Sequence, residues 1–292
     1  MSLAESTQKD GRAASDASAT ATATATPDTV YVLDFKGDIA ASAATAMKAE
    51  ISAILTLPVD RRPTEVVLRL FSTGGSVFGY GLAESELRRV TRSGIKLTIC
   101  VDEVAASGGY MMAVAGDQIL CSPWAMIGSI GVISGMPNFA ELMESKGVKF
   151  YKQTAGKNKN TLDPFTKPSE EGLAHSQKVM ERTLELFRTH VAEQRGSKLS
   201  KPILEIAQGD VWTGGDALAL GLVDVLKTSE DYIFERIHTD GAEVFHLKKK
   251  PAPAKQPWSR SGASVSEGMV GDVRGAAATM LMADSAVGGR VL

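Results

Sequence analysis

The chain has 292 residues, of which 43% are hydrophobic and 23% are charged, as in an ordinary soluble globular protein. Its formal net charge of −2 gives no electrostatic reason to expect nucleic acid or an anionic membrane surface as a partner. Two cysteines, Cys100 and Cys121, cannot build a disulfide framework, and each is expected to be a buried free thiol. The four histidines are widely spaced, so no metal and no cofactor are expected.

The two ends of the chain differ in composition from its middle. Residues 1–29 include the run "SATATATATP" and no apolar core of a signal peptide, so a disordered Ala/Thr-rich N-terminal extension is expected. Residues 248–292 are expected to form a flexible C-terminal extension, since they are too few to enclose a core. No run of about 18 apolar residues is present. The chain is therefore expected to be soluble, or a shortened form of an anchored protein.

Residues 30–247 carry the periodic signals and are predicted to form one domain. In chain order the pattern predicts a strand at 30–35, a helix at 41–57, a strand at 65–71, a helix at 77–94, a strand at 96–101, a short buried helix at 107–115, strands at 118–121 and 131–134, a helix at 138–147, a strand at 148–154 and a helix at 169–195. Strands that alternate with helices imply crossover units and mostly parallel pairing, so an α/β fold is predicted.

Two helices show a clear apolar face. In the 77–94 helix this face consists of Tyr80, Ala83, Leu87 and Val90. In the 169–195 helix it is predicted to consist of Leu173, Met180, Leu184, Phe187 and Val191.

The strand at 65–71 ends at a glycine pair, "STGGS", just before a helix. Glycine lets backbone N–H groups come close to a ligand, and the N-terminus of a helix favours negative charge. The segment could therefore form a phosphate cradle, an oxyanion hole or simply a tight turn. It does not match G-x-x-x-x-G-K-[ST], which disfavours the phosphate cradle.

A second glycine pair follows a serine in "AASGGY", residues 105–110. A serine between a strand and a helix, flanked by small residues, has the layout of a nucleophile elbow. The small neighbours would then make room for a substrate backbone, and the N–H of Gly108 would point at a developing oxyanion. The alternative is that Ser107 is the N-cap of a closely packed helix.

A serine nucleophile needs a base, and no histidine lies between Ser107 and His175. A lysine can serve if burial lowers its pKa from about 10.4 towards 7–8. The segment "YKQTAGKNKNTL" offers Lys152, Lys157 and Lys159, and spacing alone does not choose among them. For any one of these lysines, a solvated surface charge is the more common role.

The sequence resembles the signal peptide peptidase A / SohB family of Ser-Lys serine proteases, and the SohB branch most of all. The resemblance runs from about Val30 to Lys227. It rests on six motifs in the same order: "VLDFKGDIAAS" (32–42), "LRLFSTGGSVFGYGLA" (68–83), "VDEVAASGGYMMA" (101–113), "MIGSIGVI" (126–133), "TAGKNKNTLDPF" (154–165) and "GDVWTGGDALALGLVD" (209–224).

The resemblance implies a role for individual residues. Ser107 is the nucleophile, Lys159 is the general base that the Gly-x-x-Lys motif places after Gly156, and Ser129 orients the lysine. The N–H groups of Gly75 and Gly108 form the oxyanion hole.

The first oxyanion donor could also be Gly74 instead of Gly75. Thr73 stands where the family usually has proline, which loosens the turn but leaves a backbone donor in place.

The family fold is the ClpP/crotonase-like spiral of ββα units, with parallel sheets and flanking helices. The resemblance further implies a homo-oligomeric ring, peptide or unfolded or membrane-associated protein substrates, no cofactor, and peripheral membrane association. The localisation is not fixed by the sequence.

Three other functions share parts of this pattern. One is an inactive peptide-binding scaffold of the same fold, against which the presence of both Ser107 and Lys159 argues. Another is a crotonase-like acyl-CoA enzyme, which needs no Ser-Lys pair. The third is a Ser-His-Asp peptidase of the ClpP type, whose histidine would fall where this chain has Val132.

Overall fold

The structure is a computed structural model, and it describes residues 28–248. The predicted extensions at 1–29 and 248–292 lie outside the described residues, apart from Asp28, Thr29 and Lys248. Between residues 28 and 248, no helix is long and apolar enough to cross a membrane.

The strands of the described region form two sheets. They are β1 (Thr29–Lys36), β2 (Glu65–Phe71), β3 (Lys96–Val101), β4 (Val104–Ala106), β5 (Gln118–Cys121), β6 (Met126–Gly128), β7 (Val211–Thr213), β8 (Val225–Leu226) and β9 (Glu243–His246). The larger sheet has the order β8-β5-β3-β2-β1-β9, and every pair in it is parallel. Because parallel neighbours need crossover connections, helices must cover its faces, and β2 and β3 accordingly are buried along most of their length.

The smaller sheet has the order β4-β6-β7. β4 and β6 are parallel, with Ala106 opposite Gly128, whereas β6 and β7 are antiparallel. A bridge between Ser72 and Ala105 joins the end of β2 to β4. The smaller sheet therefore starts where the central strand of the larger sheet ends, which is the edge where ligands bind in open α/β folds.

The helices pack around these sheets. They are α1 (Ala44–Thr56), α2 (Val77–Arg92), α3 (Gly108–Ala113), α4 (Ala140–Ser145), α5 (Glu170–Arg195), α6 (Ile203–Ile206), α7 (Gly214–Leu220) and α8 (Ser229–His238), with a 3₁₀ turn at Val59–Arg61. The predicted apolar face of α2 is fully buried. Of the predicted apolar face of α5, Phe187 and Val191 are buried and Met180 and Leu184 are half-buried, whereas Leu173 is exposed.

The predicted α/β class, with a parallel sheet and flanking helices, is confirmed. Two predicted strands are wrong: residues 131–134 and 148–154 form neither strand nor helix. Both lie in a segment that we call the arm, residues 131–168, in which α4 is the one regular element. Their β-branched and aromatic residues have strand propensity, but a strand also needs a neighbour, and none lies beside them in the described region.

Candidate active site

Ser107 lies at the turn between β4 and α3. Its φ of 51° is in the left-handed region, which is costly for a residue with a Cβ and is found mainly where the surrounding structure enforces it. Here the Ser107 N–H donates to the Gly128 carbonyl at 2.8 Å, and the Ser107 carbonyl accepts from Met111 N at 3.0 Å. The serine is half-buried, and its strained turn has the backbone character of a nucleophile elbow.

Ser129 occupies the matching position on the neighbouring strand. Ala106 and Gly128, the last residues of β4 and β6, are register partners. Ser107 and Ser129, which follow them, therefore lie next to each other. The φ of Ser129 is 49°, close to that of Ser107, and its N–H donates to the Asp210 carbonyl at 2.6 Å. Two strained serines thus stand side by side where two parallel strands end.

The glycine pair after β2 lies against Ser107. Gly74 has a φ of +90°, and a Cβ added to it would come within 2.7 Å of the Ser107 Cβ. Its N–H donates to Ser72 Oγ at 3.0 Å. By contrast, the N–H groups of Gly75 and Gly108 have no acceptor within residues 28–248. Gly75, Ser107 and Gly108 line one cavity.

A chain of buried hydrogen bonds holds this glycine turn. Tyr80 OH donates to the Asp38 carbonyl at 2.8 Å, and Ser72 Oγ lies 2.6 Å from Tyr80 OH. Because Tyr80 OH donates its proton to the Asp38 carbonyl, it can only accept from Ser72. Ser72 Oγ therefore donates to the Tyr80 hydroxyl oxygen and accepts from Gly74 N–H. Burial raises the pKa of Tyr80, so the phenol stays protonated and the direction of the chain is fixed.

The small residues of "AASGGY" have a different reason from the one predicted. A Cβ on Gly108 would lie 2.5 Å from the Tyr80 ring, and a Cβ on Gly109 would lie 2.6 Å from the Ser72 carbonyl oxygen. The space beside both glycines is therefore filled by α2 and by the end of β2. The expectation that they make room for a substrate backbone is wrong for these two residues.

Lys159 lies in the arm, and its side chain is exposed. Its N–H donates to the Gly156 carbonyl at 3.1 Å, but its ammonium group makes no hydrogen bond or ion pair with residues 28–248. Lys152 and Lys157, by contrast, pair with Asp163 and Glu171, each at 2.5 Å. Lys159 does not line the Ser107 cavity, so a single chain does not bring the predicted base into it.

Sequence reasoning missed a polar cluster that borders the same cavity. Glu84 on α2 is buried, and one of its oxygens accepts from Arg88 Nε. His190 on α5 has Nε2 3.3 Å from the Met111 carbonyl and Nδ1 3.4 Å from Arg88 Nη2. The sequence does carry one signal: Glu84 interrupts the apolar stripe of α2, between Ala83 and Leu87.

Other nucleophiles and metal ligands find no support in the described residues. Both cysteines are free and buried, as predicted. Burial raises the pKa of the Cys100 thiol well above its usual range and that of Cys121 to about 11, so neither is a thiolate at neutral pH. Within residues 28–248, no group of three or more His, Cys, Asp or Glu side chains could hold a metal ion.

Two family profiles match the chain. The profile of Peptidase family S49 matches residues 89–241, and the profile of Peptidase family S49 N-terminal matches residues 2–87. Probable protease SohB from Haemophilus influenzae is 46% identical over 211 residues, which cover 71% of this chain and 58% of the relative. Probable protease SohB from Buchnera aphidicola subsp. Schlechtendalia chinensis is 42% identical over 207 residues, covering 71% of this chain and 66% of the relative.

A more distant relative is a Putative signal peptide peptidase SppA from Enterococcus faecium, 30% identical over 172 residues, covering 59% of this chain and 50% of the relative. The chain therefore spans about half to two thirds of the length of these relatives. Among solved structures, a mutant of the 1510-N membrane-bound stomatin-specific protease has a TM-score of 0.50 at 16% identity, covering 77% of this chain and 100% of the other. This likeness concerns the fold.

Proposed function

Because the chain belongs to peptidase family S49, we propose that it is a serine endopeptidase that cleaves peptides or unfolded proteins. The proposal rests on one observation: the strained Ser107 turn lies with two unengaged N–H groups, those of Gly75 and Gly108, on one cavity. A nucleophile beside two convergent backbone donors is what acyl transfer requires.

In the proposed mechanism Ser107 Oγ attacks the carbonyl carbon of the scissile bond, and its proton passes to the neutral amine of Lys159. The N–H groups of Gly75 and Gly108 donate to the oxyanion; losing one such donor typically costs about 100- to 1,000-fold in rate. The Lys159 ammonium then gives its proton to the leaving nitrogen as the C–N bond breaks. Lys159 next takes a proton from the water that attacks the acyl-enzyme, and it returns this proton to Ser107 Oγ as the ester bond breaks.

Two choices within this mechanism follow from hydrogen bonding. Gly75 is the better first donor, because the N–H of Gly74 is already bound to Ser72. Ser129 is the residue assigned to orient Lys159, since it leaves its strand beside Ser107. Its hydroxyl makes no hydrogen bond within residues 28–248 and is therefore available to the lysine.

His190 is the rival base, because it lines the same cavity as Ser107. A base must present an unoccupied nitrogen to the hydroxyl. In His190, however, Nε2 faces the Met111 carbonyl and Nδ1 faces Arg88. His190 is therefore unsuited to be the base, and we keep Lys159, which the family resemblance implies.

The exposed position of Lys159 adds a requirement. A general base must come within hydrogen-bond reach of the proton that it takes, and Lys159 does not line the Ser107 cavity of its own chain. The arm also carries exposed apolar side chains, including Ile133 at 98% and Tyr151 at 83% exposure, which favour burial against another surface. We propose that this surface belongs to a second copy in a homo-oligomeric ring, whose Ser107 cavity receives Lys159 from its neighbour.

Complementation between two inactive variants tests both the dyad and the assembly. Ser107→Ala and Lys159→Ala should each lose at least about 1,000-fold in hydrolysis of an unfolded protein. Assembling the two variants together should restore part of the activity, because a Lys159→Ala copy keeps Ser107 and can receive Lys159 from a neighbouring Ser107→Ala copy. Lys157→Ala is the matched control, since Lys157 is equally exposed in the same loop, and it should remain active.

The outcomes separate the parts of the proposal. Activity in Lys159→Ala at the wild-type level contradicts the dyad. Inactive mixed assemblies, with active wild type, place both residues in one chain. A fluorophosphonate that labels wild-type Ser107 supports the peptidase, with intact mass locating the adduct.

The second candidate function is a peptide-binding scaffold of the same fold, which the separation of Lys159 from the Ser107 cavity favours. A scaffold would bind unfolded peptide but neither hydrolyse it nor react with the fluorophosphonate. Peripheral membrane association is proposed from the resemblance alone, and flotation with lipid vesicles tests it.

A further inference from the structure

The cavity beside Ser107 has apolar walls. It has a volume of about 220 Å³ and lies between α2, α3, α5 and the first residues of the arm. Its wall residues are Val77, Met111, Val132, Leu186 and Phe187. Since Ser107 and both proposed oxyanion donors line the same cavity, a substrate side chain entering it belongs to the residue whose carbonyl is attacked. This step rests on the proposed peptidase function.

Besides Ser107, the polar side chains that line the cavity are Glu84, Thr183 and His190. Oε1 of Glu84 accepts from Arg88 Nε and lies 3.6 Å from His190 Nε2. Oε2 has no donor within residues 28–248, although Glu84 lines the cavity. Thr183 also lines it, but its hydroxyl donates to the Val179 carbonyl at 2.9 Å. Apart from the hydroxyl of the proposed nucleophile Ser107, the cavity therefore offers one carboxylate oxygen without a protein donor, set among apolar walls.

The ion pair between Glu84 and Arg88 determines which kind of substrate side chain can donate to Glu84 Oε2. Its guanidinium already balances the charge of Glu84, so a lysine or arginine from the substrate would place a second cation beside it. A purely apolar side chain would fill the walls but leave Oε2 without water or partner, which is costly in an apolar site. A side chain that carries a neutral hydrogen-bond donor at the end of an apolar group avoids both costs: it fills the apolar walls and donates to Oε2.

We propose that this cavity selects tyrosine at the residue on the acyl side of the scissile bond, with the phenol donating to Glu84 Oε2. Arg88 is a positioning residue, because it donates to Oε1 of Glu84 and leaves Oε2 for the substrate. Glu84 is thus a specificity-determining residue of the proposed peptidase.

The test compares peptides that differ only in the residue on the acyl side: tyrosine, phenylalanine, leucine or lysine. Wild-type enzyme should prefer tyrosine to phenylalanine in kcat/KM by about 10- to 100-fold, as expected for a buried hydrogen bond to a charged group. Glu84→Gln should lower this ratio at least about tenfold. The ratio does not depend on how much of a variant folds, because both peptides meet the same active enzyme.

Glu86→Gln is the matched control. Glu86 is also a buried carboxylate of α2 paired with an arginine, Arg89, but it does not line the cavity. Its tyrosine-to-phenylalanine ratio should equal that of the wild type.

Three results overturn the inference: equal rates for tyrosine and phenylalanine, a preference for lysine, or an unchanged ratio in Glu84→Gln. Each of these needs an active enzyme. If instead no peptide is cleaved and Ser107 is not labelled by a fluorophosphonate, it is the peptidase function that fails.

Discussion

The part of the molecule around Ser107 and the arm that carries Lys159 are stabilised in different ways. Around Ser107, strand pairing, a strained turn and the Ser72–Tyr80 hydrogen bonds fix the backbone, and most neighbouring side chains are buried. In the arm, α4 is the one regular element, and most side chains are exposed. The proposed nucleophile and oxyanion donors are thus held in a fixed arrangement, whereas the proposed base lies on an exposed segment and does not line the same cavity.

The largest effect on stability is expected at Glu65, at the start of β2. Its buried carboxylate accepts from Thr98 Oγ1 and from Tyr232 OH at 2.7 Å, and it pairs with Lys96 at 3.0 Å. Arg236 Nε lies 3.0 Å from the other oxygen, at an angle unsuited to a hydrogen bond. Glu65→Ala leaves the buried hydroxyls of Thr98 and Tyr232 without this acceptor and removes the buried charge opposite Arg236, so it should lower the free energy of unfolding by about 3–5 kcal/mol.

The arm provides the contrast for this prediction. Lys157→Ala removes an exposed ion pair to Glu171 and should leave the denaturant midpoint unchanged. Urea unfolding followed by circular dichroism measures both variants. Equal midpoints for the two variants would show that the two regions do not differ in this way.

Glycine substitutions give the next largest expected difference. A methyl group on Gly108 meets the Tyr80 ring at 2.5 Å, so Gly108→Ala should lower the free energy of unfolding by about 1–3 kcal/mol and displace the proposed oxyanion donor. Gly135, in the arm, has no heavy atom within 4 Å of such a methyl group. Gly135→Ala should therefore have wild-type stability and activity. A Gly108→Ala variant as stable as Gly135→Ala would mean that α3 can move away from α2.

Tyr80→Phe tests whether the buried hydrogen bonds position the oxyanion hole. The change removes the hydrogen bonds of Tyr80 to Ser72 Oγ and to the Asp38 carbonyl. It should lower the free energy of unfolding by about 1 kcal/mol. It should also lower kcat about tenfold with KM unchanged, because a displaced Gly75 donor weakens binding of the transition state only.

Tyr110→Phe is the control for that prediction. Tyr110 is equally buried and also donates to a backbone carbonyl, that of Leu222 at 2.8 Å, but it has no bond to the glycine turn. It should lose similar stability while keeping its kcat. Parallel losses of kcat in the two variants would assign the effect of Tyr80 to general destabilisation.

The difference between the region around Ser107 and the arm also explains which features could be predicted from the sequence. The strands at 65–71 and 96–101 are long enough for their apolar runs to be recognised in the sequence, and their predicted bounds are those of β2 and β3. β4, β6 and β7 have three residues each, too few for any period, so the sheet beneath Ser107 and Ser129 could not be found by pattern. The contact between Glu84 and His190 joins residues that only the fold brings together.

In the arm, the sequence predicted strands from local preference alone. Val148, Phe150 and Tyr151 favour extended backbone, but their side chains are exposed, and no strand of the described region pairs with them. Strand propensity largely measures packing against neighbours, so it misleads where one chain supplies no neighbour. The motif implies Lys159 as the base by resemblance alone, and no local pattern could show that Lys159 does not line the Ser107 cavity of its own chain.

The smallest expected effect concerns pH and is confined to the arm. Burial alone would raise the pKa of Asp163, but the hydrogen bonds from Lys152, Thr166 and the Phe165 N–H outweigh it and hold the pKa well below its ordinary value of 3.8. A depressed pKa means that this carboxylate stabilises the folded arm above pH 3.8, and that the stabilisation is lost as the pH falls below it. The amide resonances of Phe165 and Thr166, which donate to Asp163 Oδ1 at 2.8 and 2.9 Å, should therefore shift only below pH 3.8. If they titrate at or above that value while Ser107 and its neighbours are unchanged, the loop that follows Lys159 is held by something other than Asp163.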